Sequence, residues 1–295
     1  MVTAMSDRSA TKRMLGGLLA TVILAGCLGG GAAPVRSKAQ QRSDDLAARA
    51  VRLEEKGDST EALLLLEEAL AVSTSVEDTP ARQRLLINMA RIYRLKSESV
   101  KARPLLDQLF KTGLAGSPHE AEAAYERASL MLAEGNSGPA LEWAEKGVQA
   151  ERGGHRGRRL NLLARVQIAR QNLPAAHETA RRALADNRAS GAQEEEANSL
   201  RLLGVMARQG GRPDESAQLL SEALIIDKRL GVSAKIVTDL EELALTATAS
   251  GDTSAAAEYR TRADQARSAS QAAIRKQTRT RPPPQPETTS PSSKP

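Results

Sequence analysis

Rings are scarce in this chain. Aromatic residues make up 2% of 295 positions, and Tyr93, Phe110, Tyr125, Trp143 and Tyr259 account for them all. A core without rings has to be packed with alanine and leucine, which suits helices brought close together and argues against a β-sandwich or barrel. The single cysteine excludes an internal disulfide framework and any multi-cysteine metal cluster. Three histidines, His119, His155 and His177, leave little material for metal binding or acid–base chemistry. The middle of the chain also lacks a charge excess. The formal net charge is +6, but residues 1–26 hold +2 of it and residues 271–295 hold +4, so the segment between is neutral. Nucleic-acid-binding domains concentrate their basic excess in the folded part, so nucleic acid is disfavoured as a partner. The apolar or small stretch Met14–Gly26 has 13 residues, too few for a hydrocarbon core that needs about 20. With 26% charged residues, the bulk of the chain is not embedded in a bilayer.

What is present begins with an address. Lys12-Arg13, the short apolar stretch and the sequence Leu24-Ala25-Gly26-Cys27 form a basic region, a hydrophobic region and a small-residue cleavage site, the pattern of a secretory signal. The last four residues resemble the lipobox of bacterial lipoproteins. That resemblance implies a signal peptide over 1–26, cleavage before Cys27, and lipidation of its thiol and its new amino group. Two or three acyl chains hold a protein on a membrane where one is marginal. Leu28 is not the aspartate that retains some lipoproteins in the inner membrane, so the expected address is the bacterial envelope, at the outer membrane facing the periplasm. Residues 27–42, rich in glycine and small residues, are expected to form a flexible tether.

Behind the tether the sequence repeats. A turn, a small residue five positions on and another seven further recur as Gly57-Asp58 with Ala62 and Ala69, Ser97-Glu98 with Ala102 and Leu109, and Gly135-Asn136 with Ala140 and Gly147. The series continues as Gln171-Asn172 with Ala176 and Ala183, Gly211-Arg212 with Ser216 and Ala223, and Gly251-Asp252 with Ala256 and Ala263. Twelve residues before the first small residue of each unit stands another: Ala50, Ala90, Ala128, Ala164, Gly204 and Ala244. Successive units are spaced by 40, 38, 36, 40 and 40 residues.

These units resemble the tetratricopeptide repeat (TPR), most closely in GDSTEALLLLEEAL at 57–70 and in Leu203-Gly204. Spacing above 34 residues, aliphatics at most aromatic positions and the missing proline after the second helix depart from the usual pattern. The longer units look like the extended-helix variants of kinesin-light-chain-type repeats. The resemblance implies an all-α, right-handed α-solenoid of about six helix–turn–helix units over residues 43–277. Small residues are required where paired helices approach too closely for large side chains. Pro139, Pro174 and Pro213 fall at the starts of second helices, where a missing N–H costs little. Glu194, Glu195 and Glu196 suit the positive end of a helix. Pro104 lies deeper in its helix and is expected to kink or shorten it. Residues 278–295, with five prolines between 282 and 291, read as a disordered Pro/Ser/Thr-rich basic tail.

No catalytic constellation emerges, so the chain is not expected to be an enzyme, and no cofactor or metal is implied. The run Arg152-Gly153-Gly154-His155-Arg156-Gly157 lacks the lysine of a phosphate loop and reads as a linker between units. His177 has no metal-spaced partner. Binding chemistry is richer. In stacked TPRs the first helices line the concave groove, and that register selects Arg84, Arg91, Arg94, Tyr125, Ser129, Arg158, Asn161, Arg165, Asn198, Arg201 and Arg208 as candidate partner-binding positions. Seven arginines on one face would make an electropositive groove suited to carboxylates; alternatively they pair with acidic residues across repeats. Arg158 and Arg159 stand near a helix N-terminus, where an anion would offset the dipole. The expectation is a membrane-anchored, non-catalytic scaffold that holds a protein partner, an extended or helical segment of acidic character. The alternative is a module that binds an anionic cell-wall or polysaccharide polymer through the same arginines.

Overall fold

The computed structural model describes residues 36–279, with side chains as far as Ala272. The expected signal peptide, Cys27, the expected tether up to residue 35 and the tail from residue 280 lie outside the described residues. The chain divides into Met1–Ser37 and Lys38–Pro295. The second unit carries twelve helices and no strand among the described residues.

The helices form six antiparallel pairs. They are α1 (Lys38–Glu55) with α2 (Ser59–Ser75), α3 (Thr79–Leu95) with α4 (Ser99–Lys111), and α5 (Glu120–Ala133) with α6 (Ser137–Ala150). Then follow α7 (Arg156–Ala169) with α8 (Leu173–Ser190), α9 (Gln193–Gln209) with α10 (Pro213–Leu230), and α11 (Ser233–Ala249) with α12 (Thr253–Arg279). The turn within each pair is the same device six times. Residues 57, 97, 135, 171, 211 and 251 all adopt a positive φ, between 60° and 82°. The next residue's N–H then reaches back five positions to a carbonyl of the first helix, as Asp58 does to Leu53 and Asp252 to Ala247, each at 2.9 Å. This closes the helix C-terminus on carbonyls it would otherwise leave unbonded. Four of the six positions are glycine; Ser97 and Gln171 hold the same conformation with a side chain. Asp58, Asn172 and Asp252 then cap the second helices by accepting from the N–H three residues on.

Packing follows the small residues. All eighteen repeat positions named above are buried. At Gly204 the absence of a side chain is obligatory, because an added Cβ would lie 2.8 Å from Leu220 Cγ of the paired helix. Leucine fills the remaining space, with Leu66, Leu85, Leu106, Leu109, Leu160, Leu200, Leu220 and Leu243 among the largest fully buried side chains.

Each odd helix packs against the next odd helix, whereas successive even helices do not approach as closely among the described residues and meet through long side chains, as Arg188 of α8 meets Glu222 of α10 at 3.2 Å. Adjacent members of a curved stack are closest on its inner side, so the odd helices line the inner face and the even helices the outer.

One boundary differs from expectation. Helix begins at Lys38, inside the segment read as tether, because Ser43 is buried and bonds Ala69 O and Ser73 Oγ, and Arg42 pairs with Glu68 of α2 at 2.6 Å. Pro104 is accommodated without a break; its missing N–H would have served Val100, whose surroundings are open to water. Helix α4 is nonetheless the shortest of the twelve, at 13 residues, and no other sequential pair of helices is as loosely apposed as α4 and α5. No described helix is long and apolar enough to cross a membrane.

Candidate partner-binding face

An α-helix turns about 100° per residue, so the buried small residue of each odd helix fixes where its neighbours point. The residue just after it lies in the middle of the inner arc. That row reads Val51, Arg91, Ser129, Arg165, Val205 and Leu245, one residue per repeat. Residues three before or four after the small residue lean towards the following repeat; those two, five or nine before it lean towards the preceding one.

Ion pairs occupy the leaning positions at successive seams, and also the position six before the small residue, which points within about 20° of the central row but lies nearly two turns closer to the helix N-terminus. Arg84 of α3 bonds Asp44 of α1 at 2.7 Å, and Arg94 of α3 bonds Glu126 of α5 at 2.8 Å. From α7, one nitrogen of Arg158 donates to both oxygens of Glu122 of α5 at 2.9 and 3.0 Å, and its guanidinium lies 3.7 Å from Glu195 of α9. Arg201 of α9 bonds Asp239 of α11 at 2.6 Å and also Asp227 of α10, and Arg208 bonds Glu242 of α11 at 2.9 Å. Every seam between consecutive odd helices thus carries at least one arginine–carboxylate ion pair. Spanning repeats rather than turns, these pairs fix the angle at which one repeat sits on the next.

The expected electropositive groove is therefore largely neutralised. Of the seven candidate arginines, Arg84, Arg94, Arg158, Arg201 and Arg208 engage carboxylates. Arg91 and Arg165 make no ion pair or side-chain hydrogen bond among the described residues. Arg165 is exposed and Arg91 half-buried, and both belong to the central row. Asn161 does not face a ligand. It is buried, donates to Glu195 and accepts from Ser199 Oγ at 2.7 Å, inside a network that also holds Asn187. Tyr125 is half-buried with the Arg158 guanidinium 3.9 Å above its ring centre, so its face is covered. Ser129 is buried, and the side chain of Asn198 is held between Arg201 and Lys235.

Electrostatics match the geometry. Burial would raise Glu122, but Arg158 and Arg159 outweigh it and hold the carboxyl below its usual range. These carboxylates, with Glu151 on Arg159 at 3.2 Å, supply the anion needed beside the α7 N-terminus. Glu126 differs: burial pushes it up despite Arg94, and one of its oxygens has no hydrogen-bond donor. Among the described residues no group of three or more histidine, cysteine or acidic side chains could hold a metal ion.

The acidic partners of the arginines lay within reach of the sequence. Asp44, Glu122, Glu126, Asp239 and Glu242 stand 40, 36, 32, 38 and 34 residues from their arginines, which is one repeat length or up to nearly two helical turns less. Scanning one repeat away from each arginine would have found them.

No protein-family model matches the chain, and no curated protein sequence matches it either. Solved structures do. PilW, described as a widely conserved type IV pilus biogenesis factor, is 17% identical and aligns over 74% of this chain and 90% of its own, with a TM-score of 0.56. The apo form of RapI is 15% identical over 79% of this chain and 85% of its own, with a TM-score of 0.61. BtubC (BKLC) from P. vanneervenii is 18% identical over 88% of this chain and all of its own, with a TM-score of 0.53. At these identities the likeness is one of fold, and the fold is a TPR-like α-solenoid.

Proposed function

We propose that this protein is a non-catalytic scaffold of the bacterial cell envelope, tethered by lipid at Cys27, that holds a segment of a protein partner along the inner face of its odd helices. The observation that carries the reading is the division of that face. Arg84, Arg94, Arg158, Arg201 and Arg208 are spent on joining repeats, while the residues just after the small ones leave Arg91 and Arg165 unbonded and Val51 and Leu245 exposed at 42% and 47%. Two free guanidinium forks between apolar ends suit a segment with acidic residues in its middle and apolar residues towards its ends. An anionic polymer would require an unbroken cationic stripe, and the pairing of the other five arginines removes it. The TPR-like fold and the description of PilW as a pilus biogenesis factor agree with an assembly or adaptor role.

The test is photo-crosslinking from single positions of the full chain in cells. A photoreactive residue at Arg165 or Val205 should trap a discrete partner, and one at Glu178 on the outer side should not; equal trapping from both faces would reject the reading. For the anchor, Cys27→Ala should leave an unprocessed precursor, and a variant still cleaved and membrane-bound would reject lipidation.

A further inference from the structure

The last two repeats meet over a group of charges that do not balance. Asp227, near the end of α10, and Asp239, on α11, both have no solvent exposure. Each gives one oxygen to Arg201 of α9. The other oxygen of each, Oδ1 of Asp227 and Oδ2 of Asp239, receives no hydrogen bond from any other donor. The two carboxyl groups are themselves within hydrogen-bonding reach of one another. The remaining charges nearby do not correct the imbalance. Lys235 of α11 gives its ammonium to Asn198 Oδ1 at 3.0 Å, and Glu194 and Glu195 of α9 add negative charge. On the other side of α11, Arg267 of α12 is occupied by Glu241. Two buried carboxylates facing one guanidinium and within reach of one another, each with an oxygen that no donor satisfies, need one more positive charge, and the smallest that fits between two carboxyl groups is a proton.

We propose that Asp227 and Asp239 share a single proton, and that this proton fastens the terminal repeat, α11–α12, onto α9 and α10. With the proton present, one carboxyl donates to the other and the cluster is neutral with Arg201. Without it, two anions meet in a site closed to water and the last seam loosens.

The direction of the pH effect follows. Burial, opposed by Arg201 and reinforced by Asp227, pushes Asp239 up to about 6. In the unfolded chain the same group releases its proton at about 4. The folded state therefore binds the extra proton between those values, and the stabilisation it gives falls as pH rises through about 6. From pH 5 to pH 7.5 the closed-to-open ratio of the last repeat should drop about tenfold, because at pH 5 the closed cluster holds its proton about ten times as often as not.

The experiment is carboxyl-carbon NMR of the full chain with labelled aspartate, together with amide-exchange protection of α11 and α12 corrected for intrinsic rates. The expected result is that the two carboxyls titrate as a coupled pair with one step at about 6, and that protection in α11–α12 falls about tenfold from pH 5 to 7.5 while α5–α8 hold theirs. Asp239→Asn, which keeps a donor between the two side chains, should abolish that fall, as should Asp227→Asn if the first variant does not fold. Both carboxyls titrating below pH 5 in the wild type, or an undiminished fall in the asparagine variants, would overturn the proposal.

Discussion

The two arginines in the centre of the inner face and the five beside them are the same residue on the same side of the same helices, yet they do different work. Arg94 lies four residues after a buried alanine and Arg91 one residue after it. That difference of about 300° around the helix, equivalent to 60° the other way, puts Arg94 against Glu126 and leaves Arg91 unbonded. Arg208 and Glu242 repeat the arrangement of Arg94 and Glu126, in the same register one pair of helices from the end. Arg84 and Arg158, six residues before their buried alanines, point within about 20° of Arg91 and Arg165, yet Asp44 and Glu122 face them; a carboxylate within reach on the neighbouring odd helix therefore decides whether an arginine joins repeats. Counting arginines on a face does not.

Breaking the flanks should cost stability, and breaking the centre should cost binding. The largest effect belongs to Arg201→Ala, which strands two buried carboxylates; we expect a loss of about 3–5 kcal/mol in urea unfolding. Next is Gly157→Ala, where an added Cβ would lie 2.0 Å from Asn187 Oδ1 inside the Asn161–Ser199 network. Overpacking there should cost about 1–3 kcal/mol by the same measurement. Arg208→Ala removes a single, partly exposed pair with Glu242 and should cost about 1 kcal/mol or less. The smallest effect on folding is expected from the double variant Arg91→Glu, Arg165→Glu. It should stay within about 0.5 kcal/mol of wild type and yet lose the crosslink from Val205.

Much of the fold was legible because it rests on local, repeated chemistry. A turn residue at positive φ recurs six times, a capping side chain after it three times, and small residues fill all but one, Leu109, of the eighteen fixed offsets; each has one structural meaning. The tether boundary was not legible, since Ser43 and Arg42 are drawn into helix by α2, which no local pattern in 38–42 announces. The candidate face was legible only as a face. Register alone brings Arg84 through Arg208 to the inner side, but the choice between groove and joint depends on a carboxylate one repeat away. Asn161 illustrates the limit: an exposed amide in a single-helix projection, it is buried once α9 packs against α7. The proton-sharing pair was illegible, because Asp227 and Asp239 lie on different helices and meet only through Arg201 of a third.

The central claim is tested most directly by replacing each of Arg84, Arg91, Arg94, Arg158, Arg165, Arg201 and Arg208 singly with methionine and measuring the urea midpoint of each variant. The account predicts a split: the five variants that lose a carboxylate partner shift to lower urea, most at Arg201, while Arg91→Met and Arg165→Met unfold with the wild type. A uniform shift across all seven, or losses at Arg91 and Arg165 matching those at Arg94 and Arg208, would contradict it.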